Sequence, residues 1–295
     1  MRRAQALLGT LVSVEVDRVD LASAMAAEAA IAAALARVAA IHRAMSFHEP
    51  TSALRALARA RAGDVVAVGA DTHAVLALAL RLERESARAF NACCAAALVE
   101  RGLLPRPDDA QPSAAICLED GVELLADGRV RVRATPWIDL GGIAKGYAVD
   151  AAVAALAAAG PAAGFTGGIV NAGGDLRVFG ARRLVVQVRD PAAPGRAPPV
   201  AEIAELACAT SAWRLGGDTA EHLLATAGPA NASAAASADS GDNAPASVTV
   251  FAPSCAVADA LTKVVWQRGA ASTGLLRAHR AEALVHHRDG RRSRL

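Results

Sequence analysis

A glycine turn followed by a lysine is the part of this chain whose residue types and spacing most directly suggest chemistry. It lies in residues 137–150, where a short apolar strand leads to Asp139, then to Gly141 and Gly142, and then to Lys145. Backbone N–H groups at a helix start, the positive end of the helix dipole and a first-turn lysine can all contact one anionic group. The spacing matches neither the G-x-x-x-x-G-K-[ST] nor the G-x-G-x-x-G motif. The alternative interpretation is an ordinary strand-to-helix connection.

A second segment, residues 170–177, places polar side chains around a glycine pair. Asn171 and Asp175 flank Gly173 and Gly174, between two apolar strand patterns. By itself this arrangement is more typical of a hairpin than of a functional site.

A third segment, residues 257–265, combines a carboxylate with a hydroxyl. We predict that Asp259 starts a helix and that Thr262 lies one turn further on the same face. Asp259 fits a helix-start carboxylate and a hard-metal ligand equally well. Together with the other two segments, it provides what a metal-assisted reaction at a diphosphate needs.

Hydrophobic periodicity predicts the elements that would position these segments. The predicted strands are residues 10–16, 122–125, 129–133, 168–171, 176–179, 184–189, 248–251 and 283–287. The predicted helices are residues 22–44, 72–88, 143–159 and 256–267. Thr72 is expected to cap the second helix, Gly160 and Pro161 to end the third, and the strands between 168 and 189 to form an antiparallel meander.

These elements predict an α+β fold, because strands and helices do not alternate regularly. We expect a mixed, largely antiparallel sheet with packed helices and a helical N-terminal part. Residues 228–247 are rich in small and polar residues, Pro and Gly, which predicts a disordered loop.

Composition excludes several classes of function. The 31 basic and 29 acidic residues nearly balance at +2, so a nucleic-acid partner is not expected. The five cysteines contain no C-x-x-C pair, which argues against a disulfide framework or zinc knuckle. No signal peptide or membrane span is evident, so the chain as written is expected to be cytoplasmic. Only Lys145 and Lys263 are lysines in this arginine-rich chain.

Ordered motifs give the sequence a specific resemblance to the ApbE family of FAD:protein FMN transferases. The string Asp-Leu-Gly-Gly-Ile-Ala-Lys-Gly-Tyr-Ala-Val-Asp, residues 139–150, is the most specific of them. The others are, in order, residues 8–10, 45–52, 89–91, 170–177, 209–211, His222 and 248–261. The resemblance covers nearly the whole chain, so we expect a single ApbE-like domain over residues 1–295.

The resemblance implies both a substrate and a set of site residues. It implies that FAD is bound by Leu8, His48, Ala89, Phe90, Asn91, Asp139 and Lys145. It also implies Mg²⁺ held by Gly142 and Asp259, with Thr262 or Lys263 from the next turn. The implied reaction transfers FMN from FAD to a Thr or Ser hydroxyl of an acceptor flavoprotein and releases AMP. His222 and Asp175 are alternative proton acceptors, and the sequence does not choose between them.

Several positions depart from the family pattern. Leu8 replaces Met, His48 replaces Tyr and Asn91 replaces Asp, while Lys263 stands where many members have a metal-binding Thr. After His222 the usual Asp-Pro-x-Thr-Gly run is only partly kept. Two other functions therefore stay open at this stage: a Mg²⁺-dependent FAD pyrophosphatase and a non-catalytic flavin-binding protein.

Overall fold

The computed structural model describes residues 1–17, 21–107, 109–191, 193, 195–212 and 244–295. The strands are β1 (Arg2–Leu7), β2 (Thr10–Val16), β3 (Val65–Ala67), β4 (Val122–Leu124), β5 (Arg129–Val132), β6 (Gly167–Ala172), β7 (Asp175–Gly180), β8 (Leu184–Gln187), β9 (Pro199–Ile203), β10 (Ala207–Ala212), β11 (Pro245–Ala252), β12 (Glu282–His287) and β13 (Arg292–Arg294). The helices are α1 (Ala24–Met45), α2 (Ala53–Arg59), α3 (Gly69–Glu85), α4 (Ala95–Glu100), α5 (Leu118–Gly121), α6 (Ala144–Ala163), α7 (Cys255–Arg268) and α8 (Thr273–Ala278). The predicted α+β class is confirmed.

The main sheet has eight strands in the order β1-β2-β6-β7-β10-β11-β12-β13. All neighbouring strands pair antiparallel. In β2 the apolar residues Val12, Val14 and Val16 are buried at every second position, as period-2 alternation requires for a strand with one face on the core. The predicted antiparallel sheet is therefore the framework on which the helices pack.

Helices α1, α6 and α7 form the layer on this sheet. Helix α6 packs against α1, α7 and strands β6 and β7, while α7 packs against β10 and β11. The alanine-rich sequence of α6 lets neighbouring elements approach closely, and Ala148 and Ala152 are fully buried. As a result, the starts of α6 and α7 are neighbours.

Two smaller sheets complete the strand pairing. Strands β3, β5 and β4 form one of them, and its β4–β5 hairpin turns at Asp127 and Gly128, both of which have positive φ. An Asp-Gly pair favours such a turn, because both residues tolerate positive φ. Strand β8 pairs with β9 in a separate two-stranded sheet, so the predicted meander is wrong beyond β7.

In three helices, the residue that was predicted to start, cap or end the helix does not do so. Helix α6 continues through Pro161 to Ala163, and Gly164 ends it with a φ of 72°. Helix α3 begins at Gly69, so Thr72 lies inside it rather than capping it. Helix α7 begins at Cys255 because Ser254 caps it, which places Asp259 in the second turn.

The predicted loop at 228–247 is tested only at its end. Strand β11 begins at Pro245, so residues 245–247 belong to a strand instead of a loop. Residues 228–243 lie outside the described part of the chain.

Helices α1 and α6 have the length and apolar composition to cross a membrane. In the structure they pack against each other, and α6 also packs against the main sheet. Core helices pass the same test of length and composition, so neither helix is strong evidence for a membrane span.

Candidate functional site

The glycine turn before α6 is held by contacts with a neighbouring segment. The N–H of Asp139 donates to the carbonyl of Ala92 at 2.9 Å, and the Asp139 carboxylate accepts from the N–H of Gly141 at 3.2 Å. Helix α6 then begins after Ile143, which provides no side-chain cap. Lys145 therefore lies in the first turn of α6, as the motif predicts.

The start of α7 is capped by a carboxylate from α6. Asp150 accepts from the N–H groups of Cys255 and Ala256, both at 2.9 Å, and from the hydroxyl of Ser254 at 2.8 Å. It also pairs with Arg177 at 2.7 Å. This contact places the second turn of α7 beside the first turn of α6.

A glycine permits this close approach. A Cβ on Gly146 would lie 2.2 Å from the carbonyl oxygen of Cys255, a distance that real Cβ atoms do not show. Gly146 also donates its N–H to the Asp259 carboxylate at 3.3 Å. Its missing side chain thus lets α7 bring Asp259 to the start of α6.

Two lysines and two aspartates meet at this junction. The Nζ of Lys145 lies 2.8 Å from Oδ2 of Asp175 and 3.4 Å from Oδ2 of Asp259. Lys263 pairs with Oδ1 of Asp259, and its Nζ also donates to the main-chain oxygen of Asp259 at 3.0 Å. We call Lys145, Asp175, Asp259 and Lys263 the charged quartet.

The quartet is buried unevenly. The side chains of Asp259, Asp175 and Lys263 are 0%, 5% and 8% exposed, whereas that of Lys145 is 31% exposed. Asp259 therefore does not have the exposed, helix-start environment that its sequence position suggested. Lys145 is the member of the quartet that a solvent-borne anion can reach most readily.

The pKa values of the quartet reflect burial and mutual attraction. Burial alone would lower the pKa of Lys145, but the Asp175 and Asp259 carboxylates outweigh it and raise that pKa. Burial raises the pKa of Asp175, against the opposing effect of Lys145. Burial also acts to raise the pKa of Asp259, but Lys145 and Lys263 lower it overall. Lys145 and Asp259 are thus held in their charged forms.

Strand β10 contacts Asp175 directly and Asp259 through Thr262. The N–H of Thr210 donates to Asp175 at 3.3 Å. The hydroxyl of Thr262 donates to the main-chain oxygen of Asp259 at 2.6 Å and lies 2.7 Å from the hydroxyl of Ser211. Thr262 is fully buried, so its hydroxyl is already used inside the protein.

The predicted segment 89–91 also reaches the glycine turn. The ring of Phe90 lies 3.7 Å from the position that a Cβ on Gly142 would occupy. Ala89 is fully buried, and the Asn91 side chain donates to the Ile116 carbonyl and accepts from the Cys93 N–H. Phe90 is therefore beside the turn, whereas the contacts of Asn91 hold its own segment together.

The remaining predicted residues lie in other places. Leu8, with a φ of 56°, is in the β1–β2 turn, and its N–H is 3.4 Å from Nδ1 of His42. His48 is exposed, and its N–H donates to the hydroxyl of Ser46. The structure does not bring either residue into contact with the quartet. His222 lies outside the described residues.

Sequence reasoning missed several residues that build this site. Asp150, Gly146 and Ser211 were given no role, although all three fall inside the motifs. It also missed that Tyr147, in the first turn of α6, donates its hydroxyl to Asp71 at 2.8 Å, and that Arg37 pairs with the same carboxylate. The sequence offered one indication of these roles: Asp150 is the last residue of the most specific motif.

Several solved structures are similar to this fold. The ApbE protein of Thermotoga maritima is 21% identical with a TM-score of 0.74, and the match covers 100% of this chain and 96% of that one. Flavin transferase ApbE from Vibrio cholerae is 19% identical with a TM-score of 0.73, with coverages of 100% and 96%. Pseudomonas stutzeri flavinyl transferase ApbE, apo form, is 17% identical with a TM-score of 0.74, with coverages of 100% and 93%.

At these identities the structural likeness establishes the fold. No curated protein sequence matches the chain. The model of the ApbE family matches residues 8–285, nearly the full length. The chain therefore belongs to the ApbE family.

Proposed function

We propose that this protein transfers the FMN half of FAD to a Thr or Ser hydroxyl of an acceptor flavoprotein and releases AMP. The observation that carries the proposal is the partly exposed Lys145 at the glycine turn, held in its charged form by two buried carboxylates. Family membership supports it, and two of the similar structures are named flavin or flavinyl transferases.

The proposed reaction is a phosphoryl transfer at the FAD diphosphate. The acceptor oxygen forms a bond to the phosphorus on the FMN side, and the bond between that phosphorus and the bridging oxygen breaks. AMP leaves with the bridging oxygen, and the acceptor hydroxyl loses its proton. Negative charge grows on the phosphate oxygens during this step, so catalysis depends on positive groups already in position.

We assign the stabilisation of this negative charge to Lys145. Its ammonium lies in the first turn of α6, where the positive end of the helix dipole also favours an anion. Phe90 and Asp139 adjoin the same turn, which supports their proposed contact with FAD. Leu8, His48, Ala89 and Asn91 keep their proposed FAD contacts only by family resemblance.

A proton acceptor for the hydroxyl is the next requirement. Asp175 is the described candidate, and burial raises its pKa, which strengthens it as a base. Its pairing with Lys145 places it within the cluster that would face the phosphate. His222 remains the second candidate on family resemblance alone.

The family resemblance implies a bound divalent cation, and the contacts of its expected ligands show whether they are available to hold one. Among the described residues, no group of three or more His, Cys, Asp or Glu side chains could hold a metal ion. The oxygens of Asp259 already accept from Lys263, Lys145, Gly146 and Thr262. The set formed by Gly142, Asp259, Thr262 and Lys263 therefore does not fit Mg²⁺, and we assign no step to a metal.

The experiment that tests the proposal separates transfer from the two other functions. Purified protein is incubated with FAD with and without a candidate acceptor domain, and acceptor mass and AMP are measured. Gain of one FMN on the acceptor with matching AMP supports transfer. AMP and FMN released without an acceptor would instead indicate FAD hydrolysis, and bound FAD without AMP would indicate a flavin-binding protein.

A further inference from the structure

The ammonium of Lys263 occupies a position that is defined by the oxygens of Asp259. Lys263 follows Asp259 by one helical turn on α7, so its side chain can fold back along the helix. Its Nζ contacts both Oδ1 and the main-chain oxygen of Asp259. These are two of the three oxygens that Asp259 could offer to a cation.

The other oxygen of Asp259 has partners of its own. Oδ2 lies 3.4 Å from Nζ of Lys145 and accepts from the N–H of Gly146 at 3.3 Å. The main-chain oxygen also accepts from the Thr262 hydroxyl at 2.6 Å. A metal ion at Asp259 would have to displace at least one of these donors.

The charge balance of the quartet also argues against a metal ion at Asp259. The quartet contains two buried carboxylates and two ammonium groups, so its formal charges cancel. Buried charges are stable when they are paired and hydrogen-bonded, as these are. A divalent cation added to the complete quartet would lie close to two ammonium groups and would be repelled by both.

Lys263 also adjoins the turn at which we place the phosphates. Its Cε lies 3.3 Å from the position that a Cβ on Gly142 would occupy, and a Cβ there would also lie 3.7 Å from the Phe90 ring. A side chain at position 142 would press against the lysine. Lys263 is thus close to the glycine turn as well as to Asp259.

We propose that Lys263 acts as the protein's own cation in place of a divalent metal, so that the chain binds the FAD diphosphate without Mg²⁺. This inference rests on the proposed function, because FAD is taken as the ligand. The ammonium groups of Lys145 and Lys263 are then the positive groups of the quartet that adjoin the turn at which we place the diphosphate. The threonine found at position 263 in many family members would leave room for a metal, whereas the lysine fills it.

The first test measures FAD binding by calorimetry in EDTA and in excess Mg²⁺. We expect the Kd of the wild-type protein to change by less than about twofold between the two conditions. FAD binding that requires Mg²⁺ would overturn the inference and leave the proposed function standing. Absence of FAD binding in both conditions would overturn the proposed function and the inference with it.

Three variants test whether Lys263 is the residue that takes the place of the metal ion. Lys263→Met removes the charge at similar length and should weaken FAD binding by about tenfold or more in EDTA, as expected for loss of a charge-assisted contact. Lys263→Thr should weaken binding in EDTA and recover it in Mg²⁺. Arg183→Met, which removes a positive charge from a side chain that is 73% exposed, is the control and should bind FAD as the wild type does.

A direct metal measurement completes the test. Electron paramagnetic resonance should show Mn²⁺ bound to Lys263→Thr with FAD but not to the wild-type protein with FAD. Wild-type FAD affinity in the Lys263→Met protein, or specific Mn²⁺ binding by the wild type, would overturn the inference. If Lys263→Met does not fold, as judged by circular dichroism, Lys263→Thr and the wild-type comparison still decide the question.

Discussion

The starts of α6 and α7 lie side by side but differ in how their N–H groups are used. Ser254 and Asp150 cap the N-terminus of helix α7. The Asp150 carboxylate accepts from the N–H groups of Cys255 and Ala256 and from the Ser254 hydroxyl. Helix α6 begins at a glycine turn, and its first N–H groups, those of Ala144 and Gly146, donate to the Leu140 carbonyl and the Asp259 carboxylate. Both helix starts are thus satisfied inside the protein, but the start of α6 also carries Lys145, whose side chain is 31% exposed and can contact an anion.

This difference separates structural from functional positions along one motif. Asp139 and Lys145 are the motif residues that we assign to FAD, whereas Asp150, the last residue of the motif, holds α7 in place. Substitutions at Lys145 and at Asp150 should therefore change different measurements.

The largest effect is expected at Lys145. Lys145→Ala should slow FMN transfer by about 10²–10³-fold, the loss expected when a group that stabilises transition-state charge is removed. Lys145→Arg should recover only part of the rate, because a planar guanidinium differs in shape from an ammonium. Transfer rates at saturating FAD provide the measurement. Wild-type rates in both variants would remove Lys145 from the site.

Gly146→Ala tests whether the two helix starts must be in contact. A Cβ there would lie 2.2 Å from the Cys255 carbonyl oxygen, so the helices would have to separate. We expect a loss of about 1–3 kcal/mol or more in the free energy of unfolding, as for other overpacked sites. Urea denaturation measures it. Gly274→Ala, where a Cβ would meet open space, is the matched control and should change stability little.

Asp150→Ala tests the capped helix start. Loss of the cap on α7 should reduce the free energy of unfolding by about 1–2 kcal/mol. FAD affinity should stay near the wild-type value at temperatures where the variant is folded, because Asp150 is assigned a structural role. A large loss of FAD affinity without a loss of stability would contradict the structural role that we assign to Asp150. Asp289→Ala, at a surface ion pair, serves as the control.

The smallest effect is expected at Tyr147, whose hydroxyl donates to Asp71 near the start of α6. Burial, together with the hydrogen bond to Asp71, raises the pKa of Tyr147 to about 12. Tyr147 is the single tyrosine of the chain, so absorbance at alkaline pH reports on it alone. Because the folded state keeps this proton longer than the unfolded state, stability should fall as the pH rises from about 10 towards 12. A folded-state midpoint near 10 would show that the tyrosine is not anchored.

Part of the fold could be predicted from local patterns: eight of the thirteen described strands and four of the eight described α-helices overlap predicted elements. Strand β2 alternates apolar and polar residues, and the β4–β5 turn has the Asp-Gly pair that positive φ values require. The end of α6 was predicted wrongly because Pro161 lies in its last turn, where the chain continues to Gly164 before it leaves the helix. Pairing of β8 with β9 instead of β7 was also missed, since local patterns do not specify which strands become neighbours.

The candidate site could be predicted only in part. Motifs identified Asp139, Lys145, Asp175 and Asp259 as members of one site, and the structure brings the last three together. They did not indicate that Asp259 would be fully buried, because Asp259 was expected at the start of helix α7 and lies in its second turn. The resemblance also assigned Lys263 and Thr262 to a metal, whereas their contacts are with Asp259 and Ser211.

By itself, the sequence determined the family, the α+β class and the glycine turn with its lysine, because these depend on residue order and local periodicity. Tertiary structure alone decided which charges would meet. Lys145 and Asp259 are 114 residues apart, and only the packing of α7 against α6 at Gly146 brings them to 3.4 Å. Once they are buried together, each charge requires a partner, and Lys263 becomes part of the site for that reason.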